Sequence, residues 1–235
     1  MTDSTGQTGE RSPGPSALAS LQVLARSSAA LGQGLVHEEI YTPQGLLTVF
    51  RHEPPDGSRP SAAIVTCGGA MGGVLGPGHA LFQRLGTEWP QRDVAVHRVG
   101  YRVPNDLDRC AHDVACVVEM AIEAGAGRVV VMGHSFGGAV AIRVAAVMTA
   151  EVAGVVTFAT QSAGCEVAGA LAGRPLLLFH GDRDELLPMQ SSELVRMLAG
   201  YGDLVVLPGD GHLLARSDEV VVAELDRWLP GVLAT

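Results

Sequence analysis

The chain contains no lysine: each of its sixteen basic residues is an arginine. That excludes Schiff-base chemistry, Ser-Lys dyads and Walker-type phosphate loops, all of which need an ε-amino group. Charge is sparse, at 17% of residues, and acidic on balance, with a net charge of −9. A nucleic-acid groove wants clustered basic residues, so nucleic acid is not an expected partner. No apolar run approaches the roughly 20 residues of a membrane span, and no membrane association is expected. Cysteine is scarce too. Cys67, Cys110, Cys116 and Cys165 show no paired spacing, which predicts reduced thiols in a cytoplasmic protein. Positions 110 and 116 fall on different faces of a helix and no fourth ligand lies near His112, so this trio predicts no metal site. Neither a metal nor a cofactor is expected.

What the chain does have is apolar residues, 47% of its 235. That length and content suit one α/β domain whose sheet is buried on both faces by helices. The Arg, Ala, Gly and Val bias points to a GC-rich bacterial genome. Residues 1–16 are rich in Ser, Thr, Gly and Pro and predict a segment without fixed structure; residues 17–235 predict the domain. Between Ala17 and Ala30, Leu18, Leu21 and Leu24 recur at helical spacing, although the apolar part is too short for a signal peptide. The expectation is an extra N-terminal helix, packed on the domain or against a second copy in a homo-oligomer. A hairpin over 36–50 follows, and from there strands alternate with helices, which means a mostly parallel, twisted sheet with right-handed crossovers. Sites in such sheets lie at the C-terminal ends of the strands.

One such end is distinctive. The apolar run Arg128-Val129-Val130-Val131-Met132 leads into Gly133-His134-Ser135-Phe136-Gly137-Gly138, and an Ala/Val-rich run from Ala139 to Val147 follows. Strand, tight turn and helix place one hydroxyl at the apex, with small residues two positions to either side, as a nucleophile elbow requires. The plainer alternative is a Gly-rich turn with an incidental serine. A serine hydroxyl needs a base to take its proton and an acid to orient that base. Downstream, the strand Pro175–Phe179 runs into His180-Gly181-Asp182-Arg183-Asp184-Glu185, and the strand Leu204–Leu207 ends in Pro208-Gly209-Asp210-Gly211-His212. Serine, acid and histidine thus follow one another in that order.

From about residue 36 to the end, the chain resembles the α/β-hydrolase family, in a capless, esterase- or dienelactone-hydrolase-like form. The resemblance implies Ser135 as nucleophile, His212 as base and Asp184 as acid, with Asp182 and then Glu185 as the alternatives. It implies that His180 plugs its strand end and that His134 packs beneath the elbow. An oxyanion hole is implied at the Phe136 N–H and at a second N–H in the loop Cys67-Gly68-Gly69-Ala70-Met71-Gly72-Gly73, on Gly69 or else Ala70. Many relatives carry His-Gly where this chain has Cys67-Gly68. The plainer alternative for that loop is a flexible connector.

Only sixteen residues separate Phe158 from Pro175, so no large cap domain is expected and the site should be open. Met71, Tyr101 and Gln161, with Arg102, Ser162 and Cys165, are the candidate pocket residues, or else simply solvated. Dienelactone hydrolases themselves use cysteine, so Ser135 points to ester chemistry in general. The implied function is a carboxylesterase-like serine hydrolase cleaving a small ester, thioester or lactone through an acyl-enzyme, its partner being a small-molecule acyl substrate. Two alternatives stay open: a biosynthetic thioesterase, acyltransferase or cyclase with the same triad, and a non-hydrolytic ligand receptor or lyase on the same scaffold.

Overall fold

A computed structural model describes residues 16–234. The expectation for residues 1–16 therefore lies, apart from Ser16, outside the described residues. Among the described residues, nine strands form one sheet in the order β1-β2-β3-β5-β4-β6-β7-β8-β9. These are β1 (Ala25–Gly32), β2 (Leu35–Thr42), β3 (Gly45–His52), β4 (Ala62–Cys67), β5 (Val94–Gly100), β6 (Arg128–His134), β7 (Val152–Phe158), β8 (Leu176–Gly181) and β9 (Asp203–Leu207). The first three run antiparallel to one another, and β3 is antiparallel to β5. Every pairing from β5 through β9 is parallel.

The helices are α1 (Ala17–Ser20), α2 (Leu81–Glu88), α3 (Leu107–Ala124), α4 (Phe136–Val147), α5 (Gln190–Ala199) and α6 (Asp218–Leu233). Strand side chains alternate between the faces. Ala63, Val65 and Cys67 of β4 join α3 and α4 in one core, whereas Ala62 and Ile64 join α2 and α6 in the other. The sheet is thus covered on both sides, as its near-continuous apolar strands required. Asp106 caps α3, accepting from the Arg109 N–H at 3.1 Å. Between β7 and β8 lies only a short 3-10 stretch, Glu166–Leu171. Among the described residues there is no cap domain.

The N-terminal helix is a correction. Helical structure covers only Ala17–Ser20 and ends where Gln22 takes φ +53°; residues 25–32 form β1, exposed along its length. The Leu spacing holds for one turn, with Leu21 buried, but Leu24 is solvent-exposed. Ala25–Gly32 has no apolar face to bury, and short helices are marginal without one. Pairing with the otherwise open edge of β2 satisfies its backbone instead. What remains of the helix is anchored by Glu119 of α3, whose carboxylate accepts from the Ser16 hydroxyl at 2.6 Å and from the Ala17 and Leu18 N–H groups at 2.9 and 2.8 Å.

Candidate active site

The elbow is built by close backbone approach. Ser135, between β6 and α4, sits at φ 57°, ψ −118°, a region that non-glycine residues enter only under constraint. A Cβ on Gly133 would fall 1.9 Å from the Gly137 carbonyl oxygen, and one on Gly137 would fall 2.4 Å from that of Gly68. The two glycines are therefore obligatory for steric reasons. The Ser135 N–H donates to the Phe158 carbonyl at 2.8 Å, which ties the apex to β7. Phe136 opens α4, so its N–H has no acceptor within the helix.

The loop after β4 lies against this apex. A Cβ built on Gly69 would lie 3.6 Å from Ser135 Cβ, and the Gly69 carbonyl accepts from the Gly72 N–H at 2.9 Å, closing a tight turn. Cys67 holds the base of the loop, its thiol donating to the Gly137 carbonyl at 3.4 Å and the Met132 carbonyl at 3.5 Å. Burial pushes that thiol up to about 12, so it stays neutral. Tyr101 supports the loop from below. Its hydroxyl donates to the Gly68 carbonyl at 3.0 Å, and its ring meets Phe136 edge-on at 6.3 Å.

The three acid candidates separate cleanly. Asp184 Oδ2 accepts from His212 Nδ1 at 2.7 Å. Asp182 instead accepts from the Gly209 N–H, and Glu185 only from the His212 backbone N–H at 3.4 Å. Asp184 Oδ1 accepts from the Leu186 and Leu187 N–H groups, both at 2.8 Å. Its side chain has no exposed surface. Burial alone would raise this carboxyl, but the Leu187 N–H, His212 and the Leu186 N–H outweigh it and hold the carboxyl below the usual range. A second imidazole reaches the same oxygen, His180 Nε2 at 3.2 Å, and also donates to the Leu187 carbonyl at 3.1 Å. His180 therefore does more than plug the strand end: it steadies the acid loop.

His212 and Ser135 face one cleft of about 460 Å³. With Nδ1 committed to Asp184, the base lone pair of His212 is on Nε2. No hydrogen bond joins the Ser135 hydroxyl to that ring among the described residues; such bonds commonly tighten only around a substrate. His134 is nearer this machinery than its place in the elbow suggested. It lines the cleft, its ring lies 5.0 Å from that of His212, and its Nε2–H donates to the His212 carbonyl at 3.0 Å. Burial lowers it to about 4, so it is neutral at neutral pH.

Of the candidate pocket residues, Met71 lines the cleft, as do Gly69 and Ala70. Tyr101 and Gln161 do not. Tyr101 turns inward at the end of β5 to hold Gly68, and the Gln161 side chain folds back to donate to the Ala163 carbonyl at 2.8 Å. Arg102 is buried in an ion pair with Asp113, and Cys165 is buried within the core. The walls missed in the sequence are Val74, Leu75, Leu186 and Leu213. Leu186 and Leu213 each neighbour a residue already singled out, and that adjacency was the available signal.

Such a sheet, with a strained serine elbow and no cap, defines an α/β-hydrolase. The chain belongs to the dienelactone hydrolase family, whose model matches residues 81–219, and it is a hydrolase acting on ester-type bonds. No curated protein matches it. Among solved structures it is similar to Est1E from Butyrivibrio proteoclasticus, at 16% identity and a TM-score of 0.72 over 85% of this chain and 99% of that one. It is also similar to a serine hydrolase without lid from Xanthomonas campestris, at 18% identity and a TM-score of 0.67 over 88% and 99%. These likenesses are of fold.

Proposed function

We propose that the protein is a carboxylesterase-like serine hydrolase that cleaves small esters, thioesters or lactones through an acyl-enzyme. Ser135 attacks the carbonyl, His212 takes the hydroxyl proton and returns it to the leaving group, and Asp184 orients and stabilises the imidazolium. The Phe136 N–H and the Gly69 or Ala70 N–H stabilise the oxyanion. Water activated by His212 then releases the acyl group. The observation that carries this reading is the 2.7 Å bond from His212 Nδ1 to a buried Asp184 in a cleft shared with Ser135. That the chain keeps a residue for each triad role also argues against a non-hydrolytic receptor. The expected outcome for Ser135→Ala is a loss of about 10³-fold or more in turnover of 4-nitrophenyl acetate. Undiminished turnover by a folded variant would overturn the assignment.

A further inference from the structure

We infer that the cleft selects esters that are neutral and apolar and rejects those bearing a carboxylate, an inference that rests on the serine-hydrolase reading above. The walls come from three loops. Met71, Val74 and Leu75 stand on the loop after β4, Leu186 follows Asp184, and Leu213 follows His212. Apart from His134 and His212, none of the described residues lining the cleft is ionisable. Four of the five apolar walls are strongly exposed, Met71 at 95%, Leu186 at 68%, Leu213 at 59% and Leu75 at 50%. Large exposed apolar side chains converging on one mouth mark a surface meant to be covered. Their position around Ser135 makes the substrate the occupant that covers them.

Beyond the N–H groups and the imidazole at the reacting carbonyl, the apolar walls carry no cationic side chain that would pair with a carboxylate. Arg98 reaches the loop from behind, donating to the Val74 carbonyl at 3.2 Å and to His52 at 3.0 Å, and it does not line the cleft. Two carboxylates stand on the His212 side of the cleft: Asp184 behind His212, and Glu185 against the His212 N–H. A substrate carboxylate laid against these walls would shed part of its water with no cationic side chain to replace it, which is unfavourable. The loops are also joined across the mouth. The Gly78 N–H donates to the Leu213 carbonyl at 2.6 Å, and Asp218 at the start of α6 pairs with Arg84 of α2. The backbone of the Leu213 loop is therefore tied to that of the loop after β4.

The test compares three substrates of matched chain length on the whole protein: 4-nitrophenyl hexanoate, mono-4-nitrophenyl adipate, and 4-nitrophenyl methyl adipate. The charged ester should show a kcat/KM about 100-fold or more below the hexanoate, and the neutral methyl ester should recover most of that loss. Leu186→Arg, which places a cation on the wall, should narrow the gap by about tenfold or more. Equal turnover of the charged and uncharged esters overturns the inference. So does an equal deficit for the methyl ester, which would make the effect one of size. Fluorophosphonate labelling of Ser135 in the same sample separates this failure from that of the broader reading. A labelled enzyme with no charge preference, or one that leaves the hexanoate untouched, sinks only the substrate assignment. An unlabelled and inactive protein sinks both.

Discussion

At the scale of single residues, three histidines are held neutral by burial. Burial lowers His52 to about 4, with the Arg98 charge adding to it, and lowers His97 to about 3 and His134 to about 4. His52 accepts from Arg98 at its Nε2, and His134 donates from its Nε2 to a carbonyl, so each is fixed in one neutral tautomer. In the unfolded chain all three would titrate near 6.5. Above that value neither state is protonated and their contribution to stability is whole. Between about 6.5 and 4 the unfolded chain binds protons that the folded chain refuses, so stability falls as pH falls. The thermal midpoint should therefore drop from about pH 7.5 to about pH 5, with proton uptake on unfolding measurable by calorimetry in buffers of different ionisation heat. A flat midpoint with no uptake would contradict these burial assignments.

Elements show where the sequence was legible and where it was not. The elbow could be read because its constraint is local. Strand, turn and helix are contiguous, and the steric demand on Gly133 and Gly137 is set by neighbours a few residues away. Gly133→Ala should accordingly cost at least about 3 kcal/mol, read from the denaturant midpoint, because the new methyl meets backbone with nowhere to move. A loss under about 1 kcal/mol would mean the turn is laxer than described. The Ser, Asp, His order was legible for the same reason, each residue following a recognisable strand. The stretch Ala25–Gly32 was not. Its conformation is decided by the open edge of β2, a partner found only in the fold, and local leucine spacing pointed to a helix. Tyr101 and Gln161 failed in a related way. A position after a strand places a residue near the site, but whether the side chain turns toward the cleft or beneath the loop depends on packing. His134 erred in the other direction: its bond to the His212 carbonyl joins positions 78 residues apart, which no local pattern shows.

At the scale of the whole molecule, the parallel half of the sheet brings the ends of β4, β6, β8 and β9 to one rim. The loops after these strands, which carry Gly69, Ser135, Asp184 and His212, converge there. Among the described residues no cap stands above them, and the cleft is open. The proposed function rests on Ser135 being a nucleophile activated by His212. The most direct measurement is reaction of the whole protein with a fluorophosphonate probe, the adduct located by peptide mass spectrometry and its rate compared with that of a His212→Ala variant. The adduct should map to Ser135 and form at least about 100-fold more slowly in the variant. An adduct at another residue, no adduct at all, or a rate indifferent to His212 would contradict it.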